Sequence, residues 1–279
     1  ARLGQLDNQQ LVQIHRHVPC LPRDPPSACH IRPFLIRGLH PPCPRRRASA
    51  LRQGKMTAPV NIVCMKWGTA YGPHYVNRLR AMVARHMTRP FRFMCFTDDP
   101  SGIDPEVETA PLPPITLDAY EELPWKKVAL FNRQLADLEG TALFLDLDLI
   151  IVDSLEPFFD FDPGKLCIIH NWTHPDRRVG NSSVLRFEIG ADPEVLDTFH
   201  EHSVQHWVDL YRNEQAYLSH MKPDIEFWPA EWCVSFKKHC LPKGIRRWFV
   251  PATITEGAKI VVFHGHPKPD EAMEGRWPG

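Results

Sequence analysis

The stretch that decides the fold is Leu143–Leu155, "LFLDLDLIIVDSL", which is dominated by Leu, Ile and Val. Such an apolar run predicts a strand that is buried on both faces. Asp146 and Asp148 interrupt the run one residue apart. Because a buried carboxylate costs several kcal/mol unless a partner compensates it, a positive charge is expected opposite these two acids.

The two acids are expected to share one face of a strand spanning 141–152, because side chains alternate along a strand. Like charges this close repel each other unless a cation lies beside them. Mn²⁺ or Mg²⁺ fits this position, since both ions bind carboxylate oxygens and keep sites open for phosphate oxygens. The alternative is a pair of acids at the end of the strand that is solvated or capped by backbone N–H groups.

A second candidate segment is "KIVVFHGHPKPDEA" at 259–272. It offers His264 as a metal ligand, Gly265 for close approach of the backbone to a ligand, and Lys268 as a charge for phosphate. Alone this is a weak signal, because His and Lys often face solvent. Combined with the upstream D-x-D strand, the segment becomes specific.

Composition excludes several classes of function. The chain has 279 residues and a formal net charge of zero, which gives no electrostatic basis for binding nucleic acid. No apolar run approaches the roughly 18 residues that a transmembrane helix needs, although a peripheral membrane contact stays open. The eight cysteines form no CxxC pair and are interpreted as reduced thiols, which favours a cytoplasmic protein.

The chain is expected to contain one folded domain, residues 56–279. Residues 1–55 are rich in Pro, Arg, Cys and His and lack an apolar period, so they are predicted to be a disordered or non-native extension with a natural start at Met56. Cys20, Cys29, His30 and Cys43 fit no standard zinc spacing. The final "EGRWPG" suggests a truncated end.

Within that domain, strands and helices alternate. Strands are expected at 60–66, 91–99, 141–152, 165–170, 182–188, 246–250 and 259–264, and helices at 74–87, 126–138, 193–205 and 213–221. This order predicts an α/β fold with a mixed, mostly parallel sheet flanked by helices. Ligands of such folds bind at the carboxyl ends of the strands.

Several segments together resemble a family. The D-x-D strand with "HGHPKP", "KKVALFNRQL", "GNSSV", "NEQAYL" and "KWGTAYG" resembles family 8 and related glycosyltransferases, over roughly residues 60–270. The resemblance implies a GT-A fold as a single domain. It also implies metal-dependent, retaining transfer of a sugar from a nucleotide-diphosphate donor, in particular a UDP-sugar. The acceptor would be an unknown glycan, lipid or protein.

The resemblance also implies a role for each matching position. Asp146, Asp148 and His264 would hold the metal, and Asp146 would also touch the ribose of the donor. The other implied roles are base stacking by Tyr71, contact with the donor by Lys127, diphosphate binding by Gly265 and Lys268, and orientation of the sugar by Asn181, Ser182, Glu214 and Gln215. Of the carboxylates, Glu214 is the nearest candidate for a covalent nucleophile.

The sequence departs from the family pattern at two positions. Val262 stands where the family has its metal-binding histidine, and His264 is expected to substitute for it from the same side of the strand. Glu214 stands where the family usually has Asp, which moves the carboxylate by about one bond. The polar loop 170–180, with Trp172 and two arginines, is expected to face the acceptor.

Two other functions remain open from the sequence. "LFLDLDLI" also resembles the D-x-D strand of haloacid-dehalogenase-type phosphatases, in which Asp146 would be the nucleophile. That class normally carries the motif on its first strand, whereas here about 85 residues of the folded domain precede it. The other alternative is a GT-A-like protein that binds a nucleotide sugar without transferring it.

Overall fold

The computed structural model describes residues 59–117 and 124–274. The predictions made for residues 1–55, including the four possible zinc ligands, lie outside the described residues. Residues 275–279, the last five of the chain, also lie outside the described residues.

A seven-stranded mixed sheet forms the centre of the fold, and a three-stranded sheet lies beside it. The strands are β1 (Val60–Lys66), β2 (Phe91–Thr97), β3 (Glu108–Ala110), β4 (Thr141–Leu145), β5 (Leu149–Ile151), β6 (Cys167–His170), β7 (Gly180–Glu188), β8 (Glu226–Phe227), β9 (Cys233–Ser235) and β10 (Ile260–Val262). The large sheet has the order β3-β2-β1-β4-β7-β6-β8, and the small sheet has the order β5-β10-β9. Strand β7 runs antiparallel to β4 and β6, while the other neighbours in the large sheet are parallel. The predicted mixed, mostly parallel sheet is therefore confirmed.

The single strand predicted over 141–152 is wrong. The chain leaves the large sheet after Leu145 and joins the small sheet at Leu149, so Asp146 and Asp148 lie in the connection between β4 and β5. The residues on either side of the two acids are apolar, and each side is buried in a different sheet. Because the apolar run is continuous in sequence, it was predicted as one strand, although the chain crosses from the large sheet to the small sheet within it.

Helices cover both faces of the large sheet. They are α1 (Pro73–His86), α2 (Glu156–Asp160), α3 (Glu194–His200), α4 (Val204–Tyr211), α5 (Glu214–Met221) and α6 (Pro269–Met273), with 3₁₀ helices at Pro124–Phe131 and Gly244–Trp248 and a π-helical turn at Phe236–Cys240. Helix α1 packs on one face, and α3, α4, α5 and the first 3₁₀ helix pack on the other.

Three helix and strand predictions need correction. The helix predicted at 126–138 is a 3₁₀ helix that ends at Phe131, where the side chain of Asn132 donates to the Ala129 carbonyl at 2.8 Å. The segment predicted as a strand at 246–250 overlaps the second 3₁₀ helix instead. The helix predicted at 193–205 is interrupted before Ser203, whose hydroxyl accepts from the His206 N–H and begins α4.

Burial of apolar side chains holds the helices to the sheet. On α1, Tyr75, Val76, Leu79, Met82 and Val83 are buried at spacings of one helical face. Each buried side chain of this size contributes about 1.5–3 kcal/mol. These contacts fix α1 against β1, whose carboxyl end leads into the site.

Within the described residues, no helix is both long enough and apolar enough to cross a membrane. The five cysteines in this part of the chain are buried and form no disulfide with one another.

Candidate active site

The registers of the small sheet bring two distant segments together. Strand β10 is antiparallel to β5 with Val262 opposite Leu149, so the residue that precedes β5 lies beside the residues that follow β10. Asp148 and His264 are therefore near each other by topology. Strand β9 is parallel to β10 with Ser235 opposite Val262, which adds the end of β9 to the same edge.

The large sheet brings the other half of the site to the same place. Leu145 at the end of β4 pairs with Val184 of β7, and the Asp146 N–H donates to the Ser183 carbonyl at 2.9 Å. The first residues of β7 therefore lie beside Asp146. Helix α5 packs on β7 and begins at Glu214.

These segments surround one cavity of about 270 Å³. It is lined by Met65, Trp67, Ala70, Tyr71, Pro124, Lys127, Asp146, Leu147, Asp148, Asn181, Ser183, Glu214, Gln215, Phe263, His264 and Gly265. Most site residues predicted from the sequence are in this lining. The other two, Ser182 and Lys268, contact lining residues by hydrogen bonds.

A polar cluster, buried apart from the half-buried Asp146, occupies one end of the cavity, which we call the acidic end: Lys127, Asp146, Ser182 and Glu214. The Lys127 ammonium lies 2.7 Å from Asp146 Oδ1 and 3.2 Å from Ser182 Oγ. Ser182 in turn donates to Glu214 Oε1 at 2.8 Å. Burial raises the pKa of the Asp146 carboxyl, and Lys127 opposes that change. The cluster holds two carboxylates against one ammonium group.

At Asp148, the positive charge expected opposite the D-x-D motif is the ammonium group of a lysine, Lys268. Asp148 Oδ2 accepts from Lys268 Nζ at 2.6 Å and from the Tyr71 hydroxyl at 2.7 Å. Lys268 also donates to the Tyr71 oxygen and lies 4.9 Å from the centre of the Tyr71 ring. Burial and the Asp148 carboxylate together raise the pKa of Tyr71 far above its usual value, so its hydroxyl remains a donor.

His264 lies at the end of β10 and not within it. Its Nε2 is 2.7 Å from Ser235 Oγ, and its ring stacks on Trp172 with 5.7 Å between centroids. Burial, with Lys237 and Lys238 nearby, lowers the pKa of His264 to about 4, so the imidazole is neutral at neutral pH. His264 was expected on the same side of the strand as Val262, because side chains alternate along a strand. The strand ends at Val262, so this alternation does not determine where the His264 side chain lies.

The residues present do not fit the predicted three-ligand metal centre. No group of three or more His, Cys, Asp and Glu side chains within residues 59–117 and 124–274 is placed to hold a metal ion. Asp146 and Asp148 are each bound by an ammonium group, and the Nε2 atom of His264 faces Ser235. The positive charge that the paired acids require is therefore supplied by Lys127 and Lys268.

The structure adds residues that sequence reasoning missed. Ser235 and Lys237 lie beside His264 and Gly265, but no pattern marked them, because β9 and the turn after it are too short to predict. Trp67, in "KWGTAYG", also lines the cavity but was not among the site residues predicted from the sequence. Arg178, in the loop that is expected to face the acceptor, donates to the carbonyl groups of Pro223 and Ile225.

Comparisons with known proteins identify the fold. No protein-family model matches the sequence, and a search of curated proteins finds no significant match. Among solved structures, the galactosyltransferase LgtC in complex with donor and acceptor sugar analogues is 14% identical, with a TM-score of 0.50 over 75% of this chain and 88% of that chain. The apo-form glycosyltransferase GlyE of Streptococcus pneumoniae TIGR4 is 15% identical, with a TM-score of 0.50 over 76% of this chain and 56% of that chain. These matches confirm the predicted GT-A fold and give no support to the haloacid-dehalogenase-type alternative.

Proposed function

We propose that this protein is a glycosyltransferase that moves a sugar from a nucleotide-diphosphate donor to an acceptor hydroxyl. The observation that carries the proposal is the single cavity that gathers Tyr71, Lys127, Asp146, Asn181 and Gln215 from five separate segments of the chain. The GT-A fold that this chain shares with LgtC supports the same reaction class. UDP is the nucleotide to test first, because the resemblance implies it.

The acidic end of the cavity is suited to the donor sugar. Asn181 and Glu214 are buried there, and Gln215 lies on the first turn of α5 beside them. The Asn181 Oδ1 atom accepts from the Ser183 N–H at 3.1 Å, which fixes the amide while its NH₂ group can donate to a sugar oxygen. Sugar hydroxyls both donate and accept, so carboxylate and amide groups together orient the ring.

In the proposed reaction the bond between the anomeric carbon and a diphosphate oxygen breaks, and its electron pair stays on the diphosphate. An acceptor hydroxyl forms the new bond to that carbon, and its proton passes to the departing diphosphate. Retention, which the resemblance implies, requires attack from the face that the diphosphate leaves, or a covalent step on a carboxylate. Glu214, whose Oε1 accepts from Ser182, is the candidate carboxylate for such a covalent step.

Mn²⁺ and Mg²⁺ have no assigned role in the proposed reaction, because within residues 59–117 and 124–274 no group of three or more His, Cys, Asp and Glu side chains could hold a metal ion. The acceptor is proposed only as a molecule with a free hydroxyl, which a glycan, lipid or protein can supply.

A turnover screen tests the function. The protein is incubated with UDP-, GDP-, ADP-, CDP- and TDP-sugars, and release of nucleoside diphosphate is measured with and without candidate acceptors. Asn181→Ala and Gln215→Ala should reduce turnover strongly while leaving the affinity for the free nucleoside diphosphate nearly unchanged, since both side chains are assigned to the sugar. Gln134→Ala serves as the control, because Gln134 is exposed and bonds to the Ala136 carbonyl.

An equal loss of affinity for the free nucleotide in both variants would contradict the assignment to the sugar. Tight binding of a nucleotide sugar with no turnover under any condition would favour the non-catalytic alternative.

A further inference from the structure

Two lysines also border the cavity, and we call them the basic end: Lys268 donates to Asp148, which lines the cavity, and Lys237 Nζ lies close to Gly265, which also lines it. Lys268 is bound to Asp148, and Lys237 contributes one more positive charge. Lys238 lies next to them and donates to the Trp172 carbonyl at 2.8 Å. Lysines therefore outnumber carboxylates at this end, whereas carboxylates outnumber lysines at the acidic end.

Lys237 has no acidic partner among the described residues. Partial burial lowers the pKa of Lys237, and the nearby Lys268 and Lys238 lower it further. The Lys237 ammonium group lies close to Gly265, a lining residue of the cavity, since a carbon atom attached to Gly265 would lie 3.6 Å from Lys237 Nζ. Two ammonium groups beside each other are unfavourable unless an anion joins them.

Gly265 leaves room for a ligand to approach Lys237. Its φ is +69°, a conformation that other residues rarely adopt, and its missing side chain leaves space directly in front of Lys237. An anion at this position could also reach Lys268, which uses one N–H on Asp148 and one on Tyr71 and has a third to donate.

We propose that the diphosphate of the donor binds at the basic end and is neutralised by Lys268 and Lys237, in place of a divalent metal ion. The inference rests on the proposed sugar-transfer function and specifies how its leaving group is held. In this arrangement Lys268 occupies the position opposite Asp148 that the sequence assigns to a metal. As the bond to the anomeric carbon breaks, the negative charge that develops on the diphosphate oxygen is stabilised by these two ammonium groups.

The observed contacts explain why lysine suits this site. A lysine carries its charge as a compact ammonium group and binds phosphate as a point charge. Lys268 is held by Asp148 and by the Tyr71 ring, so it needs little reorganisation when the diphosphate arrives. Val262 at the position of the family's metal-binding histidine is consistent with a site that has no ion to hold.

Calorimetric binding of UDP to the full chain tests the inference, with GDP, ADP, CDP and TDP used in turn. Binding is measured in EDTA and again in MnCl₂. The dissociation constants should agree within about threefold, and binding should weaken as salt is raised, because the contacts are ionic. Lys237→Ala should weaken binding in EDTA by about tenfold or more, since a bond between charged groups is lost. The matched control is Lys243→Ala, which removes an exposed lysine close in sequence.

Two further measurements separate the possible failures. The binding of uridine, which lacks phosphate, should not change in Lys237→Ala, because the lysine is assigned to the diphosphate alone. Binding of UDP that requires Mn²⁺ and disappears in Asp148→Asn would overturn the lysine proposal and leave the proposed function standing. If no nucleoside diphosphate binds with or without metal, both proposals are wrong.

Discussion

Arg186 is the most deeply buried cation in the described part of the structure, with 1% of its surface exposed. It lies on β7 and donates to the carbonyl groups of Phe158, Phe161, Asp162 and Lys165. These carbonyl groups belong to α2 and to the turn that follows it, so one side chain holds both against the large sheet. The planar guanidinium group can serve several carbonyls at once because it has five N–H donors.

Replacing Arg186 by Met should destabilise the protein by about 3 kcal/mol or more, because several buried carbonyl groups would lose their partners. The change is measured as the free energy of unfolding in urea. Arg133→Met is the control: Arg133 pairs with Asp197 on an exposed surface, and such pairs contribute less than about 1 kcal/mol. Equal effects of the two substitutions would contradict the role assigned to Arg186.

His264 should produce a specific pH dependence of stability. Its pKa in the folded protein is about 4, against an ordinary value of 6.5, so the unfolded chain takes up a proton over this range while the folded protein does not. The contribution to stability is therefore complete above pH 6.5 and is lost as pH falls toward 4. The groups that act on the imidazole are Lys237, Lys238, His239 and Asp148.

The matching experiment compares the wild-type protein with His264→Gln by urea unfolding at several pH values. The difference in unfolding free energy between them should be constant above pH 6.5 and should shift in favour of the variant between pH 6.5 and 4. Parallel curves across that range would show that His264 titrates normally in the folded protein.

At the level of single residues, the sequence predicted the composition of the cavity better than its contacts. Asp146 and Asp148 stand out because acids are costly within an apolar run. Which charge pairs with each acid depends on where Lys127 and Lys268 fold, and those residues are 19 and 120 positions away from their partners. Local sequence patterns carry no information about pairs that distant.

Among the elements, α5 connects local sequence most directly with the site. Its first turn carries Glu214 and Gln215, and its N-cap is Asn213, whose side chain accepts from the Ala216 N–H at 3.0 Å. Such a cap stabilises a helix by about 1 kcal/mol. Helix α4 begins with a similar cap at Ser203 but lines no part of the cavity.

This pair of caps allows a controlled test at the level of the helix. Asn213→Ala and Ser203→Ala should each reduce stability by about 1 kcal/mol, because each removes one capping bond. Asn213→Ala should also lower sugar turnover, since the first turn of α5 would be less well fixed. Urea unfolding and the turnover assay are measured in parallel on both variants. A loss of turnover in Ser203→Ala of the same size would mean that general destabilisation is responsible.

Element boundaries were predicted well where one sheet sets the pattern and poorly where two sheets meet. Strand β1 is bounded as expected, because all its neighbours lie in the large sheet. The run 141–152 was predicted as one strand because burial on both sides of the acids looks the same from the sequence. The switch between sheets follows from pairing with β10, more than 100 residues later.

On the scale of the whole molecule, the cavity lies where the two sheets meet. The acidic end belongs to the large sheet through β4, β7 and α5, and the basic end belongs to the small sheet through the ends of β9 and β10. The connection Asp146–Asp148 joins them. Fold class and the alternation of helices and strands followed from the sequence, since they depend on apolar periodicity. The opposite charges of the two ends emerged only from the tertiary arrangement.

The division of the cavity predicts that different parts of a donor stabilise different parts of the protein. UDP alone should protect the backbone amides of the segment that follows β10, from Phe263 to Lys268 apart from Pro267, against hydrogen exchange, because the diphosphate is assigned to the basic end. The matching UDP-sugar should in addition protect the first turn of α5, since the sugar is assigned to the acidic end. Protection reflects the cost of local opening, which a bound ligand raises. The measurement is hydrogen–deuterium exchange by mass spectrometry, with α4 as an internal reference that should not change. Protection of α5 by UDP alone would mean that the nucleotide, and not the sugar, occupies the acidic end.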